Sequence, residues 1–358
     1  MVENPLLPGR KPTINDVADA AGVSRATASR ALSDYGRVSK STVDHVRAIA
    51  NQIGYRSNDI ARSMRAGKSN TLGLVVIADF TNVFFDRATK GIVDTARSHG
   101  FEVLISNTDE NLSVEREAVA TLLQKQVDGL IVVAATASVH DHLDPKSIQF
   151  KPLVLIDRTV PGVNATTITT DDFTSCEESV RSAFKLGHRK MAFLVATPNV
   201  TTVQSVKPIL QNSAIEDRVN GFQSALVDSN IKNAQWAFSP DVPELADSAI
   251  ENFLDSKNAP TIIFTSNNDM ALAALRVFGK RGLKIGSDIS LVTVDDSQWL
   301  EAISPGITVV ERPVDELARL AVEKLIEQIN QPGAKPEKIV LPTRLISRGS
   351  IANLKANK

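Results

Sequence analysis

A short polar segment near the N-terminus carries side chains that can recognise the edges of base pairs. Residues 24–30 read Ser-Arg-Ala-Thr-Ala-Ser-Arg. An arginine can donate two hydrogen bonds to a guanine edge, and a small apolar side chain can contact the methyl group of thymine. Arg25 and Ala26 stand at the start of a predicted helix, the end that enters the major groove in helix-turn-helix proteins. The candidate DNA-contacting residues of this region are Thr13, Ser24, Arg25, Ala26, Thr27, Ser29 and Arg30.

The elements that position this segment are predicted from capping residues and a glycine. Thr13 stands three residues before Asp16, and Ser24 stands three residues before Thr27. Each of these two hydroxyls can accept hydrogen bonds from the free amides of a first helical turn, so a helix is expected to begin at both places. Gly22 can adopt the left-handed backbone conformation that a tight turn between them requires. This order of helix, turn and helix is typical of DNA-reading helix-turn-helix units.

A third helix is predicted from Ser39 to about Ile53, because Ser39 can cap its start and Gly54 can end it. Its apolar residues fall on one stripe, namely Val43, Val46, Ile49, Ala50 and Ile53. Residues 1–56 (the head) are therefore expected to form a three-helix DNA-binding domain. The alternative is that these short helices form a cap on an enzyme, since short polar helices with serine and arginine are common.

The distribution of charge favours a nucleic-acid partner for the N-terminal part. The formal net charge of the whole chain is −1, but residues 1–68 carry +5 and residues 69–358 (the body) carry −6. A basic segment joined to an acidic one is the electrostatic pattern expected of a nucleic-acid-binding module attached to another domain.

Residues 57–68 link the head to the body and can form a short basic amphipathic helix. Asn58 can cap it, and Ala61 and Met64 lie on its small apolar face among basic side chains. A helix of this length is unstable alone in water, so we expect it to form only when DNA and a partner helix hold it. A plain linker is the alternative.

Composition indicates a globular protein of two or three domains, since 358 residues with 42% hydrophobic content can bury more than one core. The N-terminal residues lack a charged start followed by an apolar run, and no segment approaches the roughly 18 apolar residues of a membrane span. The expected location is therefore the cytoplasm. The single cysteine, Cys176, excludes an intrachain disulfide and is expected to pack in a helix. The sequence indicates neither a metal site nor a cofactor.

From residue 71 onward, short Val/Ile/Leu-rich runs alternate with helical segments. This pattern predicts parallel sheets covered on both faces, and two successive sheets predict two α/β lobes with a cleft between them. In open α/β sheets the ligand lies beyond the carboxyl ends of the strands. We assign residues 69–170 and 299–330 to the first lobe, and residues 171–298 and 331–358 to the second.

The head, the basic linker and five motifs of the body together resemble the LacI/GalR family of bacterial transcription regulators. The body motifs, in chain order, are Asn82-Val83-Phe84-Phe85, Val127-Asp128-Gly129-Leu130-Ile131, Leu186-Gly187-His188-Arg189-Lys190, Asp217-Arg218-Val219-Asn220-Gly221-Phe222 and Asn267-Asn268-Asp269-Met270-Ala271-Leu272. Each motif is weak alone, but the resemblance covers nearly the whole chain in this order.

The resemblance implies a transcriptional regulator, expected to be a repressor, whose homodimer or tetramer binds near-palindromic operator DNA. Paired linker helices would lie in the minor groove, where the family wedges a leucine between base pairs and this chain has Met64 instead. Wedging by methionine would cost a few kcal/mol of unstacking, offset by added contacts. The body would resemble periplasmic sugar-binding proteins and close on a small effector.

The positions that match the effector site of the family are Phe84, Phe85, Asp157, Arg218, Asn267 and Asp295. Carboxylates and amides can bond vicinal hydroxyls, an arginine can bond two oxygens, and an aromatic ring can cover the apolar side of a sugar ring. A sugar, a polyol or a nucleoside would suit such a set. Either Asn267 or Asn268 can face the cleft, and Phe238 and Trp299 fall in segments that border the pocket in relatives. The two aspartates could instead cap loops, and Phe85 could belong to the core.

Two other functional classes are weighed against this interpretation. An enzyme would need catalytic equipment, but His140-Asp141-His142 lacks further nearby metal ligands and is expected in a solvated loop. Gly67-Lys68-Ser69 lacks the preceding glycine and strand of a phosphate-binding loop, and His188 suits a turn. A periplasmic sugar-binding protein would have the same two-lobed body, but a basic head does not fit that class.

Overall fold

The computed structural model describes residues 12–32, 38–55, 68–77, 82–137, 139–198 and 200–355. By contacts within the chain it divides into two compact units, Met1–Ser69 and Asn70–Lys358. Most of the predicted linker helix, with Asn58, Ala61 and Met64, lies outside the described residues.

The first unit contains three short helices, α1 (Ile14–Ala20), α2 (Arg25–Leu32) and α3 (Lys40–Gln52). Each begins at the predicted cap. Thr13 forms a full capping box with Asp16, because its hydroxyl accepts from the Asp16 amide while the Asp16 carboxylate accepts from the Thr13 amide at 2.6 Å.

The remaining local signals of the head are confirmed as well. Ser24 Oγ accepts from the Thr27 amide at 3.1 Å, and Ser39 Oγ accepts from the Thr42 amide at 3.2 Å. Gly22 has a φ of 63°, as the turn between α1 and α2 requires. The three helices share a small core of Val17, Ala18, Ala21, Ala28, Ala31, Val46 and Ala50.

The first lobe of the body is built on a six-stranded parallel sheet in the order β11-β5-β4-β3-β1-β2. Its strands are β1 (Thr71–Val76), β2 (Glu102–Asn107), β3 (Gly129–Val132), β4 (Leu153–Ile156), β5 (Thr166–Thr170) and β11 (Lys338–Leu341). Its helices are α4 (Val83–Ser98), α5 (Leu112–Gln124) and α11 (Val314–Asn330), with a 3₁₀ turn at Asp141–Leu143. Apolar clusters pack on both faces, as the unbroken apolar strands predict.

The second lobe contains another six-stranded sheet, in the order β12-β10-β9-β8-β6-β7, parallel except for β12. Its strands are β6 (Met191–Ala196), β7 (Gln235–Ser239), β8 (Ile262–Thr265), β9 (Ser290–Val294), β10 (Thr308–Glu311) and β12 (Arg344–Ile346). Its helices are α6 (Asp172–Lys185), α7 (Ser213–Asp228), α8 (Pro243–Asp255), α9 (Asn268–Arg281) and α10 (Gln298–Ala302). Cys176 is buried in α6, as expected.

The predicted lobe boundaries differ from the sheet pairing near the C-terminus. Within 299–330, assigned to the first lobe, β10 instead pairs with β9 in the second sheet, and only α11 belongs to the first lobe. Within 331–358, assigned to the second lobe, β11 pairs with β5 in the first sheet. The chain thus crosses between lobes after β5, β10 and β11. Short apolar runs suit either sheet, so their composition does not reveal which one they join.

Two helical glycines of the second lobe provide a matched test of packing. A Cβ added to Gly221 in α7 would lie 2.2 Å from the carbonyl oxygen of Phe173, whereas one added to Gly279 in α9 would meet nothing within 4 Å. We expect Gly221→Ala to lower the free energy of unfolding by about 1–3 kcal/mol through overpacking. Gly279→Ala should raise it by up to about 1 kcal/mol, because alanine favours helix. Urea unfolding of both variants would check this, and equal effects would contradict the close approach of α6 and α7.

Candidate functional site

A cleft of about 650 Å³ lies between the two lobes of the body. Its lining includes residues that follow strands of both sheets, such as Asp157 after β4 and Asp295 after β9. Such a position beyond the carboxyl ends of parallel strands is where open α/β sheets bind ligands. The cleft therefore has the location predicted for an effector site.

Asp157 and Asp295 occupy equivalent positions in the two lobes. Each follows the last residues of a buried strand, each has a φ of 70°, and each is about 95% buried. Aspartate is one of the few non-glycine residues that adopt this left-handed conformation readily. The two carboxylates face each other across the lobe boundary.

Arg312, which follows β10, bridges these two carboxylates. Its Nη1 donates to Asp157 Oδ1 at 2.8 Å, and its Nε and Nη2 donate to the two oxygens of Asp295 at 2.6 and 2.9 Å. Its guanidinium carbon lies 3.6 Å from the ring centroid of Phe84, at the start of α4. Burial alone would lower the pKa of Arg312, but the carboxylates of Asp295, Asp172 and Asp157 outweigh this effect, and the pKa is raised above its ordinary value. The guanidinium is therefore a permanent cation that ties the lobes together.

The second oxygen of Asp157 is also engaged. Arg158 Nε donates to Asp157 Oδ2 at 3.2 Å, and Arg158 Nη1 donates to Glu110 Oε1 at 2.9 Å. Burial would raise the pKa of Asp157, but the cations Arg312, Arg158 and Arg218 outweigh it and lower the pKa. Both oxygens of this carboxylate thus bond protein groups.

Arg218 lies on α7 at the opposite wall of the cleft. Its Nε donates to Asp172 Oδ1 at 2.7 Å, and its Nη1 donates to the carbonyl oxygen of Ser266 at 2.9 Å. Asp172 in turn accepts from the hydroxyl of Thr170 at 2.5 Å. These bonds hold the guanidinium at the cleft surface through Nε and Nη1, and Nη2 takes part in neither of them.

The two neighbouring asparagines at the start of α9 have different tasks. Asn267 lines the cleft and caps the helix, because its Oδ1 accepts from the Met270 amide at 2.9 Å. Asn268 is buried, and its Nδ2 donates to the carbonyl oxygen of Asp295 at 2.7 Å. Asn267 is therefore the asparagine that faces the cleft, and Asn268 holds the backbone of Asp295.

The structure brings five of the six predicted effector-site residues to one cleft: Phe85, Asp157, Arg218, Asn267 and Asp295. Phe84 is absent from the described lining of the cleft, because Arg312 covers its ring. Phe238 is buried in one apolar cluster of the second lobe, and Trp299 packs against the other cluster of that lobe. Sequence reasoning missed Arg312, although its position two residues after Val310, the end of an apolar run, could have indicated it.

The three histidines considered for chemistry have structural partners. His140 and His142 do not lie in a solvated loop as predicted, since both side chains are more than 90% buried. The Nε2 of His140 donates to the carbonyl oxygen of Ala135 at 2.9 Å, and that of His142 donates to buried Glu115 at 2.6 Å. His188, whose pKa is lowered by burial, bonds Thr261 and the carbonyl oxygen of Ala352.

In the head, the surface of α2 carries the predicted base-reading side chains. Ser24, Arg25, Ala26 and Arg30 are exposed, whereas Ala28 on the other face is buried against the core of the head. Thr13, Thr27 and Ser29 are partly buried. The N-terminal end of α2 thus presents an arginine and a small apolar side chain side by side, as recognition of a base pair in the major groove needs.

Comparison with known proteins matches both parts of the chain. The family described as bacterial regulatory proteins of the lacI family matches residues 13–58, and the periplasmic binding protein-like domain matches residues 180–351. The chain belongs to the LacI/GalR family. It is a transcriptional regulator with a DNA-binding head and an effector-binding type of body.

Two relatives match this LacI-family chain along nearly their whole length. It is 29% identical over 343 residues to the HTH-type transcriptional regulator KdgR of Bacillus subtilis, covering 95% of this chain and 97% of that protein. It is 28% identical over 345 residues to catabolite control protein A of Priestia megaterium, covering 94% and 98%. These relatives are regulators of transcription rather than enzymes.

Solved structures show the same fold for this LacI-family chain. The lac repressor dimer bound to operator and the anti-inducer ONPF has a TM-score of 0.81 at 23% identity, covering 96% of this chain and 100% of that one. A LacI-family regulator from Enterococcus faecium with bound ribose has a TM-score of 0.69 at 25% identity, covering 79% and 99%. Among the described residues, no helix is long and apolar enough to span a membrane.

Proposed function

We propose that the cleft of this regulator binds a small polyhydroxylated effector, namely a sugar, a polyol or a nucleoside, and that this binding controls affinity for operator DNA. The observation that carries the proposal is the set of fixed polar groups that both lobes present to one cleft. The structure bound to ribose and another bound to cellobiose support this class of ligand in relatives of similar fold.

The cleft has the chemistry to bind vicinal hydroxyls. Arg218 can donate from Nη2, and Asn267 can donate from Nδ2, because its Oδ1 is used by the helix cap. Phe85 adds an apolar surface at the lining. Polar groups held in place by the protein lose little entropy when they bind a ligand, so these three residues are the proposed effector contacts.

Asp157 and Asp295 have a shared proposed role at the floor of the cleft. Both already bond Arg312, so a ligand would meet them as a fixed network and not as free carboxylates. We propose that they sense the effector through this network as well as contacting it. A change in the angle between lobes would alter the Arg312 bridge directly.

We propose that the start of the body passes such a movement to the preceding linker. The Asn70 amide donates to Asp128 Oδ2 at 2.7 Å, and the Glu102 amide donates to the Asn70 carbonyl. Asn70, directly before β1, is thereby fixed to the first lobe. We propose that movement of this lobe changes the separation of two linker helices in a cytoplasmic homodimer on near-palindromic DNA, through contacts that include Asn58, Ala61 and Met64.

The decisive experiment selects bound sequences from a random DNA pool with the full-length protein, with and without sugars, polyols and nucleosides. We expect a palindrome of two equal half-sites whose occupancy one compound changes. By thermodynamic reciprocity, operator DNA must then change the affinity for that compound by the same factor. Equal effector affinity with and without operator would exclude the allosteric coupling. Absence of an enriched sequence under every condition would reopen the enzyme and binding-protein alternatives.

A further inference from the structure

The described lining of the cleft is unbalanced in charge. Four guanidinium groups line it, together with the six carboxylates of Asp109, Glu110, Asp157, Asp241, Asp269 and Asp295. Two further carboxylates, Asp172 and Asp247, bind Arg218 and Arg276 of the lining. Even when Lys280, which also contacts Asp247, is counted, an excess of three negative charges remains.

The four arginines are already occupied by protein acceptors in the same manner. Each of Arg158, Arg218, Arg276 and Arg312 uses its Nε and at least one Nη in hydrogen bonds to the protein. Tight recognition of a carboxylate or phosphate uses two adjacent donors of one arginine. An anion held by two donors of one arginine would therefore displace at least one protein acceptor. At Arg312 these acceptors are the buried carboxylates of Asp157 and Asp295, and leaving either one without its cation is strongly unfavourable. At Arg218 one of the acceptors is the carbonyl oxygen of Ser266.

We propose that the cleft selects an uncharged or cationic effector, such as a neutral sugar, a nucleoside or an amino sugar, and rejects sugar acids and sugar phosphates. This inference rests on the proposed function, because it assigns the charge class of the ligand of the same cleft. Repulsion by the carboxylates and the occupied arginines act together against an anion.

The test compares matched compounds on the full-length protein by thermal shift and then by titration calorimetry at low salt. The probes are glucose, glucosamine, glucuronate and glucose 6-phosphate, the same four derivatives of galactose, ribose with ribose 5-phosphate, and adenosine with its monophosphate. For the sugar or nucleoside that binds, we expect the cleft to bind the neutral or amino form about tenfold or more tightly than the acid or phosphate form. Added salt should reduce this preference, because it screens the charges.

The outcomes separate the charge class from the proposed function itself. An acid or phosphate that binds more tightly than its neutral parent would overturn the inference and leave the proposed function intact. No binding by any member of the panel would count against both.

A pair of variants tests the electrostatic cause. Asp109 is exposed at the cleft, and Glu117 is exposed on α5 outside its lining. Asp109→Asn should narrow the preference severalfold, whereas Glu117→Gln, which removes the same charge elsewhere, should leave it unchanged. If neither variant changes the preference for neutral over anionic ligands, the charge of the cleft is not its cause and the inference is overturned.

Discussion

Replacing Arg312 by methionine is expected to lower the free energy of unfolding of the body by about 3–5 kcal/mol, the usual cost of removing one partner from a buried ion pair. The side chain of Arg312 is 3% exposed, and its loss leaves Asp295 without its bidentate partner and Asp157 with Arg158 alone. The measurement is urea unfolding at pH 7 followed by the fluorescence of Trp236 and Trp299, which both lie in the body.

The matched control is Arg87→Met, which removes an exposed pair with Asp315. Exposed pairs of this kind contribute about 0–1 kcal/mol, so this control should unfold almost as the parent does. The triple variant Arg312→Met, Asp157→Asn, Asp295→Asn should recover part of the lost stability, because no buried charge is then left unpaired. Equal losses for Arg312→Met and Arg87→Met would show that the bridge does not hold the lobes.

The cost of Arg312→Met should also depend on pH. Asp157 has a lowered pKa in the folded protein, so its contribution is present above the ordinary aspartate pKa of about 3.9 and is lost as the pH falls through the folded value. Without Arg312, one of the cations that lower the pKa of Asp157 is lost, so this carboxyl is protonated more readily. The difference in stability between the parent and the variant should therefore shrink below about pH 4, and a constant difference would contradict the assigned cause.

Replacing Arg25 by alanine is expected to reduce affinity for the specific operator by about 2–6 kcal/mol, because a bidentate base contact contributes about 1–3 kcal/mol and a palindrome contains it twice. Arg25 is exposed at the first residue of α2, where Ser24 caps the helix. Preference should relax at one base position of each half-site, while affinity for unrelated DNA falls much less. Selection from a random pool and titration of the selected site would measure both effects.

Arg47→Ala is the control for Arg25→Ala, because it removes one exposed positive charge of the same head from α3. A phosphate contact would weaken binding to all sequences alike and would not change base preference. If both variants lose affinity uniformly across sequences, Arg25 does not read a base.

The local structure of this protein could be predicted from its sequence because it depends on residues close together in the chain. The capping box of Thr13 and Asp16 and the turn at Gly22 span a few residues each, so their spacing indicates the helices they begin or separate. The buried strands β1, β3 and β6 could be predicted for the same reason, since each is an unbroken apolar run. The strands β7, β11 and β12 are more polar or more exposed, so their residues give a weaker signal for a strand.

The sequence by itself therefore determined the helix-turn-helix head, the two parallel α/β sheets and five residues of the cleft, because capping, apolar periodicity and strand ends are local signals. Tertiary structure alone decided which sheet β10 and β11 join and which side chains share a charge. Arg312 and Asp157 are 155 residues apart, yet they bond at 2.8 Å because β4 and β10 end at the same cleft. That pairing depends on how separate strands align and on the burial of both charges, neither of which residue spacing encodes.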